Sequence, residues 1–182
     1  MIDPSIQLAS GKLFHFYGCR PEDIDINDIA SHLSKLCRFT GAVRQFYSVA
    51  QHSVLVSAIV PPEHALAGLL HDATEAYIND LSRPAKSLAA GYCHYEKYYL
   101  WPVIAKRFGL PQELPACVKE ADNVLLVTEK RDLMPPIAEK DRHVWAWADG
   151  IVPLGVRIQP LMPGRAEAYF RHRWFQLTGE KI

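Results

Sequence analysis

The sequence has no C-x-x-C pair, no run of basic residues and no long apolar stretch, and each absence removes a class of protein. Its four cysteines, Cys19, Cys37, Cys93 and Cys117, stand far apart, so neither a zinc ribbon nor a disulfide framework is encoded. Buried or incidental thiols are the reading that remains. Lys+Arg and Asp+Glu each total 20, leaving no formal net charge. A surface that coats nucleic acid and a polybasic membrane anchor both need excess cation, so neither partner is expected, although a local basic pocket is compatible with neutrality. No segment approaches the ~18 consecutive apolar residues of a transmembrane helix. The opening MIDPSIQLASGK lacks the basic and apolar regions of a secretory signal, which makes the cytoplasm the expected compartment. Repeats, low-complexity tracts and linker-like runs are missing too. One domain over residues 1–182 is expected.

What is present is helical in period. Hydrophobic residues make up 49% of 182, and a chain of that length buries roughly 70% of its surface, enough for its own core. Asp25 and Asn27 are candidate caps for a helix whose apolar face is Ile26, Ile29, Leu33 and Leu36. A second helix is predicted over Ser48–Ile59, stopped by Pro61-Pro62. A third follows over Glu63–Tyr77, and a fourth over Gly91–Phe108 with Pro102 as a kink or break. A fifth is expected over Leu114–Leu133. The last, Arg165–Leu177, has Pro163 ahead of it and Gly179 behind it. Lys12–Tyr17 and Arg157–Leu161 read as short strands that pair as a ribbon between the two ends of the chain. Glu139–Pro160, with Trp145 and Trp147, carries no clear period. The expected fold class is an all-α helical bundle with at most this minor ribbon.

Four residues carry the chemistry: His52, the adjacent His71-Asp72, and Asp122. Two imidazoles and two carboxylates form a borderline-hard donor set that suits Mn, Co, Fe, Ni or Zn. On the predicted map they occupy three helices, which packing would bring to one point, as in metal sites inside helical bundles. Glu75 follows on the same helical face as His71. Asp80 lies just past the helix end, where a loop folds it back. A helix bearing His, Asp and Glu beside Leu69-Leu70 is costly to bury unless something pairs with the charges, and a metal supplies that partner. The blander reading of Glu75 and Asp80 is a solvated helix end and a turn cap. That of Arg38, Arg44, Arg83 and Lys86 is solvated surface charge.

The segments DIASHLSKLCRFTG, VRQFYSVAQHS, LLHDATEAYINDLSRPAK and EADNVLLVTEKRDL resemble the HD-domain nucleotide phosphohydrolases. Within that superfamily the resemblance is to the small 5'-deoxynucleotidases and the phage dATP triphosphohydrolases, and it covers about residues 25–133. It implies a single HD-domain bundle, with metal binding by His52, His71, Asp72 and Asp122. Glu75 matches the catalytic glutamate, and Asp80 the second acidic residue beside the attacking water. Arg38 matches an arginine that holds the nucleotide. Phe39 stands where an aromatic, often Trp, contacts the sugar and favours the 2'-deoxy form. Pro84 and Lys86 resemble a Pro-x-Lys element of the phage enzymes, and Lys86 is a suitable point charge for phosphate.

The implied activity is metal-dependent hydrolysis of deoxyribonucleotides, either of a dNTP to deoxynucleoside and triphosphate or of a dNMP to deoxynucleoside and phosphate. The implied partner is a small-molecule nucleotide bound by a homo-oligomer, with a divalent transition metal and room for a second ion such as Mg. Guanosine tetraphosphate hydrolases carry HD-x-x-E-D, whereas Ala76 follows Glu75 here. Di-iron oxygenases and cyclic-nucleotide phosphodiesterases need further histidines, and only His94 lies between the HD pair and Asp122. A helical binding module that has lost activity is the non-enzyme alternative.

Overall fold

The computed structural model describes residues 4–182. The fold is mainly helical, in agreement with the periodicity. Helix α1, Ile26–Leu33, begins where the Asp25 side chain accepts from the Asn27 amide, so Asp25 is the cap and Asn27 is not. Its buried face is Ile26, Ile29, Ala30 and Leu33; Leu36 falls beyond its end. Helix α2, Val49–Ile59, is capped by Ser48 and lies at the centre, with α1, α3 (Ala65–Leu70), α8 (Ala116–Leu133) and α9 (Pro163–Thr178) packed around it. Gly68 sets the approach of α3 to α2: a Cβ there would lie 3.1 Å from the Ser57 Cα and 3.1 Å from a Val60 methyl.

Three expectations are corrected. The third helix is not continuous to Tyr77. It stops at Leu70, and residues 71–74 form tight turns in which the Ala73 and Glu75 amides donate three residues back, to Leu70 and Asp72. Helix α4, Glu75–Ile78, then resumes, and Asn79 ends it with a φ of 74°. The fourth helix is divided. After α5 (Arg83–Lys86) come α6, Ala90–Tyr95, a π-helical turn over Glu96–Leu100, and α7, Trp101–Phe108. Pro102 sits in the first turn of α7, where its missing amide costs least.

The ribbon is also different. Strand β1, Ser5–Gln7, pairs antiparallel with β2, Leu13–His15, so both strands come from the N-terminal end. Residues 157–161 are not a strand. Side chains take their backbone donors instead: the Ile158 amide donates to Asp132 and the Leu161 amide to Gln51, while Gln51 donates to the Gln159 carbonyl. The segment with no clear period contains a 3-10 stretch, Glu139–Ala148. All four cysteines are free and half-buried. No helix among the described residues is long and apolar enough to cross a membrane.

Candidate metal centre and its cavity

His52 lies in the first turn of α2 and is fully buried. Its Nδ1 is 2.6 Å from Glu129 Oε1, on α8. Glu129 also accepts from the Tyr47 hydroxyl at 2.9 Å and from Arg38 Nε at 3.1 Å. A carboxylate at Nδ1 fixes the ring as its Nδ1–H tautomer and leaves the Nε2 lone pair facing inward. His71 is oriented the same way by a different partner, its Nδ1 lying 2.8 Å from the Gly68 carbonyl. That carbonyl has no i+4 amide to serve because α3 ends at Leu70, so the break in the third helix supplies the acceptor.

The two Nε2 atoms approach to 3.3 Å. Asp72 Oδ2 is 3.2 Å from His71 Nε2 and 3.7 Å from His52 Nε2. These three side chains form a group that can hold a metal ion. Asp122 does not complete that tight group, although its Oδ1 lies 3.3 Å from His52 Nε2. Its other oxygen is taken by Lys119 at 2.7 Å and Arg83 at 3.3 Å. With both Nδ1 positions engaged, the atoms facing one another are acceptors, which is unfavourable unless a cation lies among them. Burial and the Arg38 charge oppose protonation of His52, yet Glu129 and Asp122 outweigh both and raise it to about 9. Burial likewise works against the charge on Asp72, but His71, His52 and Arg38 hold that carboxyl well below the usual range. The donor chemistry and the demand for positive charge both fit a metal ion.

Glu75 and Asp80 stand beside this group. Glu75 is buried, and one of its oxygens has no hydrogen-bond partner. Burial first, then Asp72 and Asp80, push its carboxyl well above the ordinary value against the pull of Lys86 and Arg38. Asp80 is raised by burial too, with Arg38 opposing. Lys86 is 3.6 Å from Glu75 and is held by both oxygens of Glu96, at 3.0 and 3.1 Å. None of these groups is the solvated surface charge of the blander reading. Arg83 donates to Asn123 at 2.6 Å as well as to Asp122. Arg38 is buried and spans Glu129, Asp72 at 3.4 Å and Asp122 at 4.0 Å. Arg44 is exposed, and so is Arg83, although its guanidinium is paired.

These residues open on a cavity of about 470 Å³, within the range of small-molecule sites. Arg38, Phe39, Asp72, Glu75, Asp80, Pro84, Lys86 and Asp122 all line it, so the structure gathers these residues singled out from sequence around one space, apart from His52, which is buried, and His71, which lines another cavity with Thr74 and Glu96. Phe39 adopts a left-handed φ of 56°, uncommon for an aromatic residue, which turns the chain at the cavity edge.

Sequence reasoning missed three parts of the site. Glu129 follows Asp122 by two helical turns and was legible as a charge on the buried face of α8. Glu96 has no local signal. Val144, Trp145 and Trp147 line the cavity from the segment that carried no period.

The fold and site define a mainly helical protein with a buried His-His-Asp group that can hold a metal ion. No family model matches the sequence. The chain is 42% identical over 174 residues to the uncharacterized protein YfdR of Escherichia coli strain K12, covering 95% of each chain. It is 32% identical over 182 residues to the uncharacterized protein RCAP_rcc00048 of Rhodobacter capsulatus, covering 92% of each. The chain belongs to the family of these two proteins.

Proposed function

We propose that this protein is a metal-dependent phosphohydrolase of the HD type that acts on deoxyribonucleoside triphosphates, releasing deoxynucleoside and inorganic triphosphate. The observation that carries the reading is one juxtaposition. Asp72 of the His52–His71–Asp72 group, two carboxyls of raised pKa and the cations Arg83, Lys86 and Lys119 line a single cavity. His52, His71 and Asp72, with Asp122 opposite, would hold a divalent ion of the Mn, Co, Fe, Ni or Zn series. Such an ion, when bound, brings the pKa of water towards neutrality and polarises a phosphoryl oxygen.

The remaining chemistry falls to the chain's own residues. Glu75, a buried carboxyl whose pKa burial raises, is placed for proton transfer. It takes a proton from the attacking water as the new P–O bond forms at the α-phosphorus, and returns it to the departing 5'-oxygen. Asp80 orients the water. Lys86, kept cationic by Glu75 and Glu96 despite burial, faces the phosphates. Lys119 is 63% exposed in its side chain, so it is free to move from Asp122 to the outer phosphates, while Arg83 stays beside Asp122, held by Asn123 and Trp147. A second reading, hydrolysis of a deoxynucleoside monophosphate, is favoured by one observation: Arg38 and Lys86 are already committed to internal carboxylates, which leaves fewer charges for a long phosphate chain.

Purified protein supplied with Mn²⁺ or Co²⁺ is incubated with matched dNTPs, dNMPs and ribonucleotides, and the phosphate product is identified. Triphosphate release from dNTPs is expected; orthophosphate from dNMPs alone selects the second reading. Nucleotide binding without any product would make the chain a binding module. Phe39 packed against the sugar leaves a ribose hydroxyl unpaired at a cost of about 1–3 kcal/mol. That corresponds to roughly 5- to 150-fold preference for the deoxy form, and Phe39→Ala is expected to remove it.

A further inference from the structure

We propose that Trp145 and Trp147, which line the cavity next to Arg83, hold the nucleobase by stacking, and that no hydrogen bonds read it, so that all four bases are accepted. The proposal rests on the nucleotide reading above but concerns other residues of the cavity lining.

The cavity is divided by chemistry. Its charged side chains are engaged with the metal group or its neighbours: Arg83 and Lys119 with Asp122, Arg38 with Asp72, Lys86 with Glu75. The apolar lining includes Leu126, Met134, Val144, Trp145 and Trp147, with Arg83 between Trp147 and Asp122. Helix α8 sets this gradient. Leu126 lies one turn beyond Asp122, about 6 Å along the axis, and Met134 follows the helix end. A nucleotide has the same polarity, with a charged phosphate chain at one end and a planar apolar-faced base at the other.

The two tryptophans are braced. The Lys130 ammonium lies 4.2 Å from the Trp145 ring centroid, and the Arg83 guanidinium lies 4.4 Å from that of Trp147. The rings themselves are 5.9 Å apart and inclined by 33°. Cations over both rings restrain their orientation without occupying the whole of either. Trp147 is nevertheless 44% exposed and Val144 53% exposed, on a wall of a site rather than in the core. A planar aromatic ligand covers that surface.

The missing element is a polar code. Among the described residues, the uncharged polar side chains lining this cavity besides the two indoles are Thr40 and Ser82, with no asparagine or glutamine. A site that reads a base edge by hydrogen bonds rejects the wrong base by ~10⁴-fold or more, whereas apolar pockets discriminate by no more than ~10². Stacking tolerates every base because each has a π-face.

The test titrates the metal-loaded protein calorimetrically with deoxyadenosine, deoxyguanosine, deoxycytidine and thymidine, and separately with inorganic tripolyphosphate, which has no base. All four nucleosides are expected to bind with Kd values within about a hundredfold of one another. Trp145→Ala and Trp147→Ala are expected to weaken each by about 5- to 150-fold, the scale of one base–aromatic stack, with tripolyphosphate affinity unchanged in Trp145→Ala. Trp147→Phe, which keeps a ring, is expected to restore most of the binding and controls for folding. Preference for one base beyond a hundredfold, or wild-type nucleoside affinity in both alanine variants, would overturn the proposal. Should the protein hydrolyse no nucleotide yet bind nucleosides in this tryptophan-dependent way, stacking stands and the phosphohydrolase reading falls.

Discussion

Glu129 Oε1 lies 2.6 Å from His52 Nδ1, on the side of the ring away from the metal group. Both side chains are fully buried, so neither can exchange the other for water. Because Glu129 also accepts from Arg38 and Tyr47, one carboxylate fixes the tautomer of a ligand, neutralises a buried guanidinium and satisfies a buried phenol. Such partners behind a metal ligand matter nearly as much as the ligand itself.

Glu129→Gln keeps the shape but loses the charge that orients His52. Metal affinity is expected to fall by about 10- to 100-fold. Glu129→Ala additionally leaves Arg38 without its closest partner, at about 3–5 kcal/mol of stability. Metal titration reads the first effect and denaturant unfolding the second. Wild-type metal affinity in Glu129→Gln would show that His52 needs no such support.

His71→Ala and Asp72→Ala are each expected to remove the metal and the hydrolytic activity together, because His52, one remaining neighbour and an Asp122 already engaged by Lys119 and Arg83 are too few donors for a tight site. Metal analysis beside a turnover assay decides this. Stoichiometric metal in both variants would remove the pair from the ligand set.

Glu75→Gln is expected to retain the metal yet lose about 10²-fold or more in turnover, the usual scale for a general acid–base group. Removing a raised carboxyl from an acidic cluster should not destabilise the fold, so thermal unfolding is expected to stay at or above the wild-type temperature. Near-normal turnover would demote Glu75 to a bystander, and loss of metal would make it a ligand.

Asp132 predicts a pH dependence that belongs to the fold. Hydrogen bonding from Arg131 is the largest influence on it; burial opposes, and the Ile158 amide and Arg157 add to the effect. The carboxyl is held well below the usual range. An unfolded aspartate titrates near ~3.9, so this contribution to stability is complete above that pH and is lost as pH falls through the lower folded value. The gap in melting temperature between wild type and Asp132→Asn is expected to be constant from about pH 8 to 5 and to narrow below about 4. A gap that widens in acid would contradict the assignment.

The local elements were legible because their causes are local. Apolar spacing marked α1 and α2, and Pro163 and Gly179 bracket α9 because one needs no amide donor and the other adopts a left-handed φ of 75°. The strand pairing was misassigned because an extended segment shows only that it needs partners. Residues 157–161 find theirs in Asp132 and Gln51, distant in sequence, rather than in a second strand. The break at His71 also had no local sign, since Leu70 to Tyr77 contains neither Gly nor Pro.

By itself, then, the sequence determined the helical class, the order of the elements and which side chains are chemically equipped for the site. Helix propensity, capping and residue type act over a few positions, so they are written where they act. The tertiary structure decided how those side chains are used. It set the two Nε2 atoms face to face and left Asp122 outside the tight group in the hands of Lys119 and Arg83. It made Arg38 a buried counter-charge and turned an unreadable tryptophan segment into a cavity wall. Most of those outcomes depend on contacts between residues 19 to 91 positions apart, where burial strengthens charge interactions and only the packed chain fixes which partners meet.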